Sequence, residues 1–191
     1  MPVRFTGSDK ERDQLLAVVD EGRPLVQADL PAASITQLKS FDHDTGCFQK
    51  LARAGYRATL LNTLSPYSSS TRTVRDMIEL AGKQADYVVA INQWFGDRDD
   101  FFMWYGNEHN PPSAGHTMLR QYGGVEIALP KLQAGVLVAI DDLMLTFSDA
   151  CEDKRLTTPQ RSRLFRWMRA VDAELDGVAP LLGLKKNGEA Q

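Results

Sequence analysis

Residues 24–29 read Pro24-Leu25-Val26-Gln27-Ala28-Asp29, and the chain continues Leu30-Pro31-Ala32-Ala33. An apolar strand ending on an aspartate places a carboxylate at the carboxyl edge of a sheet, where open α/β sheets bind their ligands. A carboxylate at that edge can hold the water shell of a magnesium ion. It can also cap the helix that follows, and the two roles are compatible. Phosphate chemistry further needs a glycine-rich loop ending Gly-Lys-Ser or Gly-Lys-Thr. The 191 residues contain none. Gly82-Lys83-Gln84 has the glycine-lysine pair, but it closes a helical pattern instead of opening one.

A second concentration of functional side chains follows Ala90-Ile91-Asn92-Gln93: the loop Trp94-Phe95-Gly96-Asp97-Arg98-Asp99-Asp100-Phe101-Phe102-Met103-Trp104-Tyr105. At residues 93–112 the connection is too long for a plain link between elements. Two readings stay open. Trp94, Phe95, Asp99, Asp100 and Phe101 form a lid or partner surface at the ligand edge, or the rings form a flap that only covers the sheet. Asp97, Asp99 and Asp100 lack the other ligands of a calcium loop, so solvation explains them better. His43, His109 and His116 have no metal-ligand spacing, and no metal site is expected. Ser68-Ser69-Ser70 lies outside any Gly-x-Ser-x-Gly elbow and reads as the end of a polar loop over 65–70 that caps the next helix.

The elements that must position these residues follow from periodicity and breakers. Ser8 and Glu11 suggest a capping box for a short helix carrying Leu15, Leu16 and Val19 and ending at Gly22. Residues 24–29 read as a buried strand, and Ser34 with Gln37 as the cap of one helix running to Ala54 and stopping at Gly55. A strand over 56–64 and a helix over 71–81, with Val74, Ile78 and Ala81 on one face, repeat the pattern. Residues 86–92 are apolar without alternation, as expected of a parallel strand covered on both faces at the sheet centre. A helix over 113–122, a break at Gly123-Gly124 and a strand over 125–129 follow. Beyond these, 132–147 is an apolar helical stretch. Thr158-Pro159 then opens a last helix whose stripe of Leu164, Trp167, Met168, Val171 and Leu175 should pack against the sheet. Strands alternating with helices define an open α/β sheet.

With 43% apolar and 25% charged residues the composition is that of an ordinary globular domain, and a net charge of -3 argues against wholesale nucleic-acid binding. Any such contact must be local. Lys154, Arg155, Arg161, Arg163, Arg166 and Arg169 make the most basic stretch, either as a phosphate-binding helix face or as a solvated face balanced by Glu152, Asp153, Asp172 and Glu174. Cys47 and Cys151 have neither a Cys-x-x-Cys partner nor a histidine cluster, so reduced, buried thiols are expected. No apolar stretch approaches the roughly 20 residues that cross a bilayer, which points to a cytoplasmic protein.

Three short motifs in order, Asp29-Leu30-Pro31-Ala32, Ala90-Ile91-Asn92-Gln93 and Ala128-Leu129-Pro130-Lys131-Leu132, resemble those of the MinD/ParA class of deviant P-loop ATPases. Within it, the Asn92 to Phe102 loop and the segment from Leu145 to Val171 are most similar to TraL-like and StbB-like proteins of conjugative and mobilisable plasmids. The resemblance covers most of the chain, from about Gly22 onward, and implies a three-layer, doubly wound, mostly parallel α/β fold, P-loop NTPase-like but truncated at the N-terminus; by length, residues 1–184 read as one domain. A helical C-terminal segment completes the fold, and the residues after Leu184 read as a disordered tail over 185–191. The resemblance also implies that Asp29 is the catalytic Walker B or switch II aspartate, that Asn92 and Pro130 line the nucleotide base, and that ATP and Mg2+ are the cofactors. Implied partners are proteins of a plasmid transfer or partition system, a second copy of the chain and nonspecific DNA. Such ATPases begin with a strand, a Gly-Lys-Gly-Gly-x-Gly-Lys-Ser/Thr loop and a helix, a unit this sequence does not contain. Two expectations follow: a shortened chain, or a fold kept without hydrolysis as a nonenzymatic adaptor.

Overall fold

The computed structural model describes residues 3–4, 9–31 and 34–184. Ser8 of the expected capping box, Ala32 and Ala33 of the first motif and the tail 185–191 lie outside them. In chain order the elements are β1 (Val3–Arg4), α1 (Asp9–Asp20), β2 (Ala28–Asp29), α2 (Ile35–Thr45), α3 (Cys47–Arg53), β3 (Ala58–Leu64) and α4 (Ser68–Ala81). They continue with β4 (Ala85–Asn92), α5 (Phe102–Tyr105), α6 (Ala114–Gln121), β5 (Val125–Leu129), α7 (Ala134–Asp142), α8 (Phe147–Ala150) and α9 (Thr158–Leu182).

The strands β3, β4 and β5 form a parallel sheet in chain order, with β4 in the middle. Residues alternate across its two faces. Tyr87, Val89 and Ile91 enter one core with Leu64, Val74, Met77, Ile78 and Leu119, beneath α4 and α6. Val88 and Ala90 enter another with Ile127 and Val178, beneath α9. The expected three-layer α/β arrangement holds for this sheet, and β4 is the doubly covered centre that its unbroken apolar run predicts. Because the three strands lie in sequence order, they contain no switch point among themselves.

Helix α4 buries Val74, Ile78 and Ala81 as its spacing predicts. It meets α6 so closely that a Cβ on Gly115 would lie 2.8 Å from the Thr71 carbonyl oxygen, which is why a glycine stands there.

Four expectations are corrected. Residues 24–29 are not a buried strand: only Ala28–Asp29 is extended, paired in parallel with Val3–Arg4 in a separate two-stranded sheet, and Leu25 is 51% exposed. The expected helix to Ala54 is two helices, because Gly46 turns left-handed at φ 65° and donates its N–H to the Asp42 carbonyl. Helix α7 ends at Asp142 instead of running to Phe147, and Met144 then takes a left-handed φ of 52°.

The last correction concerns α9. Leu164, Trp167 and Met168 do not reach the sheet. They pack with Leu132, Val136, Ile140, Ala150 and Leu156 in a core shared with α7 and α8. Only the later residues Leu175, Val178, Leu181 and Leu182 cover the sheet. The helix therefore bridges two cores with two stretches of one stripe. Its start is also one residue early: Thr157 is the N-cap in a capping box with Gln160. Both thiols are free, with Cys47 buried and its pKa pushed up to about 12 by burial. No helix among the described residues is long and apolar enough to cross a membrane.

Candidate functional site

The carboxyl ends of β3, β4 and β5 lie side by side, with Leu64 opposite Ile91 and Asn92 opposite Leu129. This edge gathers Tyr67, Asn92, Trp94, Phe95, Pro130 and Lys131. Asn92 ends β4, and its side-chain oxygen accepts the Trp94 N–H at 3.1 Å, capping a 3-10 turn over Gln93–Phe95. That cap turns two consecutive aromatic rings away from the core. Trp94 is 38% and Phe95 44% exposed. Phe95 meets the ring of Tyr67 edge to face at 6.0 Å, and the ammonium of Lys131 lies 5.9 Å from the centre of the Trp94 ring.

The scaffold beneath is fixed. Trp167 Nε1 donates to the Pro130 carbonyl at 2.6 Å, tying α9 to the end of β5. The Ser65 N–H donates to Ser70 Oγ at 3.0 Å, closing the turn that presents Tyr67. The expected serine cap is corrected: Ser68, Ser69 and Ser70 form the first turn of α4, and the residue at its N-cap is Tyr67.

The aromatic loop divides into two halves, one buried and one at the surface. Phe101 and Trp104 are fully buried in the main core, as a flap would require. Trp94, Phe95, Phe102 and Met103 stay at the surface. The acidic residues have local explanations: Asp97 and Asp100 form a capping box for the 3-10 turn Arg98–Phe101, with the Asp97 N–H donating to Asp100 Oδ2 at 2.8 Å. Asp99 is exposed beside them. Among the described residues, no three His, Cys, Asp or Glu side chains cluster with metal-binding geometry.

Asp29 is not brought to this edge as part of the same sheet. It sits on the small β1–β2 sheet with its side chain exposed. Asn92 and Pro130 do share the edge. Of the basic stretch, Arg161 turns inward to the Leu156 and Asp153 carbonyls, Arg155 pairs with Asp153 at 2.6 Å, and Arg163, Arg166 and Arg169 are exposed.

A polar cluster that the sequence reading missed holds the loop down. Glu126 on β5 accepts Trp104 Nε1 at 2.7 Å and the Tyr105 hydroxyl at 3.2 Å, and its carboxylate is 3.5 Å from His116 Nε2. His116 packs edge to face on both rings at 5.3 and 5.5 Å, and the Arg98 guanidinium lies 3.6 Å over Tyr105. The signal was a lone carboxylate inside the apolar strand Val125-Glu126-Ile127-Ala128-Leu129, since a half-buried charge needs donors. Burial pushes the Tyr105 hydroxyl up to about 12, helped by the Glu126 charge. The same burial holds His116 below its ordinary value of 6.5, with Arg120 and Arg98 acting in that direction and Glu126 opposing.

This sets a pH dependence. A histidine whose pKa is lower in the folded chain binds fewer protons there than when unfolded, so its contribution is complete above pH 6.5 and is lost as the pH falls below it. The urea midpoint should decline on acidification through that range, and His116→Gln should flatten the decline. An unchanged slope in the variant would remove His116 as its cause.

Fold and edge together define a parallel α/β protein with an exposed aromatic platform at the carboxyl end of its sheet. Comparison with protein families, curated proteins and solved structures finds no match to this chain.

Proposed function

We propose that the chain is a ParA/MinD-like module of plasmid conjugal transfer or maintenance that works as a nonenzymatic adaptor, docking a protein partner on the platform of Tyr67, Trp94 and Phe95. One observation carries the docking surface: two adjacent aromatic residues are held out of the core at the ligand edge by a side-chain cap, while their neighbours Phe101 and Trp104 are buried. Exposed aromatic anchors are what protein interfaces enrich. The plasmid context rests on the motif resemblance alone.

Hydrolysis is the weaker reading of the same edge. Asn92 spends its carbonyl oxygen on the Trp94 cap, and Asp29 stands on another sheet. The sequence also contains no loop of backbone donors and lysine to cradle a triphosphate.

Calorimetric titration with magnesium-ATP tests the choice. No heat of binding is expected at micromolar chain and nucleotide. Micromolar affinity would reveal a phosphate site elsewhere in the chain and return the ATPase reading to first place.

A further inference from the structure

We infer that the partner segment taken by the aromatic platform is proline-rich: a polyproline II stretch, with two prolines three residues apart, laid across the ends of β3, β4 and β5. This rests on the platform proposed above and names the chemistry of its partner.

Tyr67 follows the end of β3, Trp94 and Phe95 the end of β4, and Lys131 the end of β5, and these strands are neighbours in one parallel sheet. Their side chains form a row along the sheet edge. Tyr67 is 62% exposed and its ring is inclined at 73° to that of Phe95, while the Trp94 ring continues the row towards the Lys131 ammonium.

The row presents unused donors. Among the described residues the Tyr67 hydroxyl, Trp94 Nε1 and Lys131 Nζ have no hydrogen bond or ion pair, whereas the other two indoles donate, Trp104 to Glu126 and Trp167 to the Pro130 carbonyl. Asn92 has committed its oxygen to the Trp94 N–H, which leaves its amide as a further donor. Such a row fits a segment with open acceptors. A polyproline II stretch has no internal hydrogen bonds, so its carbonyls stay free, and its prolines bring no N–H that binding would leave unpaired. Proline-rich segments dock on aromatic surfaces for these reasons.

The lengths agree. Adjacent strands lie about 4.8 Å apart, so the row from the end of β3 to the end of β5 spans about 10 Å. Polyproline II rises about 3.1 Å per residue with three residues per turn, which sets residues i and i+3 on one side about 9 Å apart. One proline then meets the Tyr67 and Phe95 rings, and the next meets Trp94.

Other modes of recognition fit less well. The row lies at strand ends and offers no strand edge for added pairing, and it has no aliphatic groove for an amphipathic helix. Single-stranded nucleic acid also stacks on aromatic rings. Asp97, Asp99 and Asp100, all exposed in the same loop, oppose its phosphates.

The test is a nuclear magnetic resonance titration of the full, isotope-labelled chain with decaproline blocked at both ends. The Trp94 indole N–H resonance should move and saturate at or below about 1 mM peptide, and that of the buried Trp104 should stay in place. A blocked Gly-Ser peptide of the same length should move neither. Tyr67→Ala should weaken binding by about tenfold with the unfolding midpoint unchanged, and Tyr67→Phe, which keeps the ring and loses the donor, by about threefold. No movement of the Trp94 resonance up to about 1 mM decaproline, equal movement with the Gly-Ser peptide, or tighter binding of oligothymidylate would overturn the inference. If decaproline fails while Trp94→Ala still releases a protein captured by the chain, the partner class is wrong and the platform stands. If Trp94→Ala releases nothing either, both fall.

Discussion

Trp104→Ala should destabilise the chain by about 3–5 kcal/mol, as large a single-residue loss as any we expect in it. The indole has no exposed surface and sits in the core shared by α4, α6 and β4. Removing it leaves a cavity that the surrounding helices can fill only in part. Its Nε1–H is also the shortest hydrogen bond to Glu126, a half-buried carboxylate. Truncation therefore costs both packing and the solvation of a charge, and the second term is about 1–3 kcal/mol. Trp104→Phe separates the two, because it keeps most of the ring volume and loses the donor. It should cost the smaller amount alone. Thermal unfolding would read the alanine variant as a fall of roughly 6–20 °C for a chain of this length. A loss below about 1 kcal/mol would show that the loop rests on the core without belonging to it.

What the sequence reveals of this fold, and what it hides, divides along the range of the contacts. The strand at 86–92 is legible because a doubly buried strand must be apolar throughout, and β4 spans Ala85–Asn92. Helix α4 is legible because Val74, Ile78 and Ala81 repeat at helical spacing. Both patterns are local. The strand at 24–29 is misread because its apolar residues do not say which neighbour will pair with them. Only Val3 and Arg4 do so, over two residues. In α9 the stripe was correct, but one stripe served two cores, and nothing local marks where Met168 leaves the α7–α8 core and Leu175 begins on the sheet.

The site is divided in the same way. The edge itself, with Asn92, Trp94, Phe95 and Pro130, follows from placing the motif ends at strand ends. The clamp on Glu126 does not, since its partners Trp104 and Tyr105 lie 22 and 21 residues away in sequence. Sequence analysis could note that Glu126 needed donors but could not say which residues supply them. Nor could it separate the inward rings of the loop from the outward ones. That partition depends on the capping box of Asp97 and Asp100, which opens the 3-10 turn ending at Phe101.

The partition leads to the second large effect. Trp94→Ala combined with Phe95→Ala should leave stability within about 1 kcal/mol, because both rings are more than a third exposed and neither belongs to the buried core. Binding should respond in the opposite way. If these rings anchor a partner protein, each is a hot spot of about 2 kcal/mol, or roughly a 30-fold loss of affinity per ring. The measurement is the dissociation constant of a protein captured by the wild-type chain, with the unfolding midpoint of each variant measured in parallel. Phe101→Ala supplies the converse. It deletes a ring with no exposed surface and should lower stability by about 3–5 kcal/mol, with affinity falling only as far as the fold is lost. An unchanged dissociation constant in the Trp94 and Phe95 double variant would exclude the platform, because a partner that still binds does not need the two rings.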